Sequence, residues 1–296
     1  MEKTLLVITG PTASGKSALA MSLAKELSTD IISADSRQLY RDIPIVTAAP
    51  TREMLAEVRH HLVGTLGLAD YYSAARFEEE ALSILPGIWQ KSDVAIVCGG
   101  SMMYVDALTD GIDRLPDIDP EIRRQAYAIM EEGGIEAVER RLRQLDPDYW
   151  EKVDRANHKR MIHAIEVSMQ AGVPYSSLLT GQRRRRPFRI IRTALCMERE
   201  ELFGRINRRV DMMMEAGLEE EARRVYPLRQ YNSLNTVGLK EMFAWFDGVM
   251  DRDTAIARIA KNTRVYAKKQ ITWLKKSADT IFIKPHNAFE EILGLI

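Results

Sequence analysis

An α/β fold is predicted for this chain: a parallel sheet core flanked by helices, interrupted by an all-helical insertion. Three observations predict it. Residues 4–9, TLLVIT, form a near-continuous apolar run that closes on a glycine and leads into a helical pattern, KSALAMSLAKEL. Similar runs recur at 30–35 (DIISAD) and 93–100 (DVAIVCGG), and apolar runs bounded by turn residues are how strands buried on both faces read. Near Pro116 the texture changes, and helical signals then follow one another with no strand between them.

Taken in order, the chain opens strand–loop–helix, with apolar residues at helical spacing from Lys16. The second and third strands follow at 30–35 and 93–98. Asp119-Pro120-Glu121 then caps a helix with proline at its first position, and Gly133-Gly134 stops it. A second insertion helix runs from Ile135 to Asp146-Pro147, and a third from Asn157 to Ala171, ended by Gly172-Val173-Pro174. Residues 116–180 are therefore expected to be a helical insertion, and 1–115 with 181–296 the core. RIIRTALCM (189–197) reads as a return strand, and long helices finish the chain.

Composition bounds the function. The chain has 296 residues with Lys plus Arg and Asp plus Glu equal at 42 each, which excludes a uniformly basic nucleic-acid coat. The content of 46% hydrophobic and 28% charged residues is that of an ordinary folded domain. No run approaches the ~18 apolar residues of a membrane span, and the opening run is too short for a signal peptide, so a cytoplasmic protein without membrane contact is expected. Cys98 and Cys196 lack neighbours at ligand spacing; both are expected to be buried thiols. The charge is segregated, with 22 Lys/Arg against 12 Asp/Glu in residues 183–276. Its dense parts are QRRRRPFRIIR and KNTRVYAKKQITWLKK, the second holding Tyr266 and Trp273. Basic clusters with aromatics suit phosphate backbones and stacked bases; a solvated helix face beside a flexible loop is the alternative reading.

The chemistry is concentrated at Gly10-Pro11-Thr12-Ala13-Ser14-Gly15-Lys16-Ser17, a full G-x-x-x-x-G-K-[ST] match between a strand and a helix. Glycines let backbone N–H groups curl around phosphate, Lys16 neutralises its oxygens and Ser17 can ligate Mg²⁺. The core is thus P-loop NTPase-like. The loop does not say which phosphate compound it holds, and the third strand ends in Cys98-Gly99-Gly100-Ser101 without the carboxylate an ATPase would place there. Asp35, at the end of the second strand, should face the loop across the crevice. It can orient or deprotonate an acceptor, or it can cap a helix starting at Ser36.

GPTASGKS, ADSRQLY and GGSMMY, in this order, resemble the signature of the tRNA dimethylallyltransferases (tRNA isopentenyltransferases), and HHLVG, LPDIDPEIR, KRMIHAIEV, GRINRRVDMM, NTVGLKE and TRVYAKKQITWL resemble further blocks of that family. The resemblance implies transfer of a dimethylallyl group from dimethylallyl diphosphate to N6 of the adenosine 3′ of the anticodon, with Mg²⁺, by a monomer. It implies catalytic roles for Asp35, Ser101 and Arg209, with Asp35 deprotonating the amine and Arg209 reaching the leaving group. It implies that Thr12, Lys16 and Ser17 bind diphosphate and metal. It also implies contacts to the tRNA anticodon stem-loop from Asp35, Ser36, Arg37, Gln38, Ser101, Arg123, from Lys159, Arg160, Met161, Ile162 and His163, and from Val237, Gly238, Leu239, Lys240 and Glu241. The chain departs from the family where Lys159…His163 replaces Gln-Arg-x-x-Arg, where Leu239 replaces a tyrosine and where Val265 replaces a glutamine. Two other readings compete: a P-loop small-molecule kinase, which would turn over ATP, and a nucleotide-gated RNA-binding module, which would bind without product.

Overall fold

The computed structural model describes residues 2–296 and divides the chain into two compact units, Met1–Asp110 with Arg185–Ile296, and Gly111–Arg184. The insertion thus spans 111–184, wider at both ends than the 116–180 expected. The extra residues belong with it because Asp113 accepts hydrogen bonds from Thr180, and Arg184 donates to the Ile112 carbonyl.

The first unit is built on six parallel strands: β1 (Thr4–Thr9), β2 (Ile31–Ser33), β3 (His60–His61), β4 (Val94–Cys98), β5 (Arg189–Leu195) and β6 (Thr280–Ile283). Their order across the sheet is β3-β2-β4-β1-β5-β6. Helices in chain order are α1 (Lys16–Glu26), α2 (Ala74–Ile88), α3 (Met102–Asp110), α4 (Pro120–Leu145), α5 (His158–Ala171), α6 (Arg199–Glu215), α7 (Leu218–Val225), α8 (Leu239–Phe246) and α9 (Arg252–Leu274), with shorter turns between them. β1 and β4 are buried along their whole length, which is why their sequences show no alternation. Leu6, Ile8, Ile96 and Ile191 pack against Ala20, Met21 and Leu23 of α1. Elsewhere in the unit, Phe77 of α2 stacks on Tyr104 of α3 at 4.5 Å.

Two strands escape the sequence reading. β3 has two residues, and β6 exposes Ile281 and Phe282 at the sheet edge, so neither presents a run that periodicity can detect. β2 is also shorter than the predicted 30–35. After Ser33 the Ala34 N–H still bonds to the Cys98 carbonyl at 2.8 Å, and then the chain turns away, leaving Asp35 in the turn beyond the strand.

The second unit is helical. α4 changes direction at Gly134 (φ 63°, ψ −164°), which separates the two helices expected from Gly133-Gly134. Asp146 ends it and starts the next short helix, its buried carboxylate accepting from Tyr149 N–H and from Ser176 N–H and hydroxyl. The unit has its own core of Ala126, Val138, Leu142, Met161, Ile162, Ala164 and Ile165.

Candidate active site

The strand order places the C-terminal ends of β1, β2 and β4 side by side, and in a parallel sheet these ends meet at the ligand crevice. β1 delivers the phosphate loop, whose Gly15 has φ 94° as it starts α1, a left-handed conformation that glycine adopts without penalty. β2 delivers Asp35 and β4 delivers Gly99-Gly100-Ser101. Gly99 admits no side chain: an added Cβ would lie 2.1 Å from the Ala34 carbonyl oxygen, so the lip after β4 presses directly on the turn that carries Asp35.

Two cavities that share Thr12, Asp35, Arg209 and Tyr266 in their linings open there. The larger, of about 390 Å³, is lined by Thr12, Asp35, Ser101, Arg209, Tyr266 and the segment Asn235–Gly238, among others; the smaller, of about 80 Å³, by Lys16, Ser17, Cys98 and again Asp35 and Arg209. One carboxylate therefore faces two cations across a shared space. Asp35 Oδ1 accepts the N–H groups of Arg37 (2.9 Å) and Gln38 (3.4 Å), capping a turn rather than a helix. Its Oδ2 makes no hydrogen bond among the described residues and is left to the cavity.

The cations are unusual in having no acidic partner. Lys16 Nζ reaches only the Pro11 carbonyl, at 3.4 Å, and Arg209 has neither a hydrogen bond nor an ion pair among the described residues. Burial lowers the pKa of Lys16, an effect the nearby Arg209 charge adds to and Asp35 opposes; burial lowers that of Arg209 as well, again with Asp35 opposing. Two desolvated, unneutralised cations beside curled backbone N–H groups make an anion site. Cys98, at the floor, is buried, and its thiol is pushed up to about 11 by that burial, so the end of β4 contributes a neutral group. Cys196, by contrast, is only half-buried, with its Sγ 3.6 Å from the Ile283 carbonyl.

The residues fit a hard divalent cation that takes most of its oxygen ligands from a phosphate group and water. Ser17 offers a hydroxyl at the head of α1 within the smaller cavity, which Asp35 also lines. Among the described residues there is no cluster of three or more His, Cys, Asp or Glu side chains that would hold a metal alone.

Residues 38–277 match the model of a protein family described as IPP transferase. The chain belongs to that family. It is 50% identical over 290 residues to tRNA dimethylallyltransferase 1 of Phocaeicola vulgatus, covering 98% of this chain and 97% of that one, and 49% identical over 295 residues to tRNA dimethylallyltransferase 1 of Porphyromonas gingivalis, covering 100% and 98%. Among solved structures, the full-length tRNA isopentenylpyrophosphate transferase of Bacillus halodurans is 31% identical with a TM-score of 0.73, covering 99% of this chain and 95% of that one. A eukaryotic dimethylallyltransferase described as acting on tRNA shares the fold, with a TM-score of 0.81 at 24% identity over 99% of this chain and 78% of that one.

The residues expected at an RNA surface divide. Ser36, Arg37, Ser101, Val237, Gly238 and Lys240 line the larger cavity. Arg37 is also structural, its guanidinium donating to the carbonyls of Asn232, Ser233 and Asn235, and Gln38 is held by Ser33 and by the carbonyls of Thr47 and Ala48. In the helical unit, Lys159, Arg160 and His163 are exposed on α5, while Arg123 pairs with Glu166.

Four positions are corrected. Met161 and Ile162 are 0% and 2% exposed in the core of the helical unit, because positions two and three past an exposed lysine fall on the apolar face of α5. Leu239 is buried, and the Glu241 carboxylate is consumed by Gly238 N–H and Asn262 Nδ2. All four side chains are buried. The arginine run divides: Arg183, Arg184 and Arg185 are exposed, whereas Arg186 forms a buried pair with Glu78, Arg192 pairs with Asp110, and Arg189 donates to the Leu295 and Ile296 carbonyls. Of the aromatics, the Trp273 indole is fixed by Asp106 and the Tyr266 hydroxyl reaches the Gly100 carbonyl at 3.4 Å. Gln270, a buried amide between the phosphate loop and the β4 lip, lies within TRVYAKKQITWL but takes no role of its own from the sequence reading, because its partners are set by long-range packing.

Proposed function

We propose that the protein transfers a dimethylallyl group from dimethylallyl diphosphate to N6 of the adenosine immediately 3′ of the anticodon (position 37) in tRNA, releasing diphosphate. The observation that carries this reading is the pairing, in one space, of two cations without acidic partners, Lys16 and Arg209, with a carboxylate that has a free oxygen, Asp35.

The diphosphate lies on the loop amides and against Lys16, with Arg209 on its far side. The bond from the prenyl C1 to the diphosphate oxygen breaks as the bond from C1 to N6 forms, and charge accumulates on the departing oxygens. Preorganised cations stabilise that charge in the transition state more than in the ground state. The N6 amine is a weak nucleophile and must lose a proton as it attacks; Asp35 Oδ2 takes it, while its Oδ1 stays locked to the turn. Mg²⁺, when bound at Ser17, supplies further charge neutralisation to the leaving diphosphate. A stacked adenine cannot bring N6 to a recessed carboxylate, so the base is flipped into the larger cavity.

A tRNA substrate supports a cytoplasmic location. No helix among the described residues is long and apolar enough to cross a membrane. Incubation with dimethylallyl diphosphate, Mg²⁺ and tRNA tests the reading through release of diphosphate that depends on tRNA. ATP turnover in its place would support the kinase, which the neutral Cys98 at the end of β4 disfavours.

A further inference from the structure

Gln270 lies near the end of α9, 258 residues from Thr12 in sequence, and is 3% exposed. Both ends of its amide are engaged. Oε1 accepts the Thr12 N–H at 2.9 Å, and Nε2 donates to the Gly100 carbonyl at 2.9 Å. The orientation is dictated by the partners, since only the oxygen accepts and only the nitrogen donates. Gly100 leaves room for nothing else: an added Cβ would lie 2.3 Å from Gln270 Nε2. On one side of this bridge, Thr12 belongs to the phosphate loop. On the other, Gly100 leads into Ser101, whose Oγ accepts the Ser36 N–H at 2.8 Å, next to Asp35.

We infer that Gln270 is a positioning residue for prenyl transfer, a buried strut that sets the separation between the diphosphate-holding loop and the turn that carries the Asp35 base. The inference rests on the proposed prenyl transfer. In such a displacement the amine nitrogen, C1 and the leaving oxygen must be aligned at near-contact distance, and a misplacement of about 1 Å costs on the order of a hundred-fold in rate. The loop alone can bind the prenyl donor, and the cleft alone can bind tRNA. Losing the strut therefore acts on the joint geometry, which is read in kcat rather than in either KM.

The test uses the full chain with Gln270→Glu, which keeps size and the acceptor for Thr12 but sets an oxygen against the Gly100 carbonyl, and Gln270→Met, which removes both bonds. In each, kcat falls about ten- to a hundred-fold while both KM values stay within about three-fold. Combined with Ser101→Ala, Gln270→Met loses far less than the product of the single effects, because the two residues serve one chain of contacts. Folded variants with unchanged kcat, a loss confined to KM, or independent effects in the double variant overturn the inference alone. Unfolding of both variants overturns it in favour of a purely structural role. A wild-type protein that transfers nothing overturns the functional reading and this inference together.

Discussion

Ser101 Oγ accepts the Ser36 N–H at 2.8 Å and donates its hydroxyl to Ser36 Oγ at 3.2 Å, so the lip after β4 grips the residue adjacent to Asp35. The carboxylate is thereby held from two directions, by this contact and by the two turn N–H groups on its Oδ1. Ser101→Ala should lower kcat about ten-fold through loss of orientation, with tRNA affinity changed less than about two-fold. Steady-state kinetics beside a filter-binding titration checks both halves of that expectation.

Lys16 has no acidic partner and meets a diphosphate as its natural counter-charge. Lys16→Met should raise KM for dimethylallyl diphosphate about ten- to a hundred-fold, corresponding to ~1.5–3 kcal/mol for a hydrogen bond to a charged group. Its tRNA binding, measured without the donor, should stay at the wild-type value.

The Arg186–Glu78 pair is 8% and 5% exposed at its side chains, and Arg186 also donates to the Leu108 and Ala107 carbonyls. Removing the guanidinium deletes a buried charge-assisted bond to Glu78 and two further hydrogen bonds, so Arg186→Ala should destabilise the protein by about 3–5 kcal/mol. The salt dependence of tRNA binding by the folded variant should keep its slope, because Arg186 releases no counterion from RNA. A shallower slope with unaltered stability would show that this arginine faces the nucleic acid.

Alkaline stability carries the mark of Cys98. Its thiol ionises near 9 in the unfolded chain and near 11 in the folded protein, because burial resists the charge. The folded pKa is raised, so the contribution is complete below about 9 and is lost as pH rises through 11. Chemical denaturation at a series of pH values should show a decline over this window that Cys98→Ala flattens.

Much of the fold was legible because its signals are local. The β1–loop–α1 opening lies within two dozen residues, and its glycines, lysine and apolar run each speak for themselves. Asp35 was legible too, from its place after a strand of a parallel sheet, although the turn rather than the strand holds it. What could not be read is what long-range packing decides. Thr12 and Gln270 are joined across nearly the whole chain, and Arg186 finds Glu78 108 residues away. Met161 and Ile162 teach a different lesson: helical periodicity already places Ile162, Ile165 and Met169 on an apolar face, and that physical signal outweighs membership in a block of sequence that resembles an RNA contact. Ile162→Ala should accordingly destabilise the helical unit by about 2–5 kcal/mol, and tRNA binding at a temperature where the variant stays folded should match wild type.

The central claim is that Asp35 accepts the proton from an adenine amine while a prenyl group arrives from the phosphate loop. The most direct measurement is mass spectrometry of nucleosides digested from tRNA that lacks the modification, after incubation with the protein, Mg²⁺ and dimethylallyl diphosphate. The expected result is an adenosine heavier by one five-carbon prenyl unit, absent with Asp35→Ala although that variant still binds tRNA. Unmodified adenosine in the wild-type digest, or equal modification by Asp35→Ala, would contradict the claim.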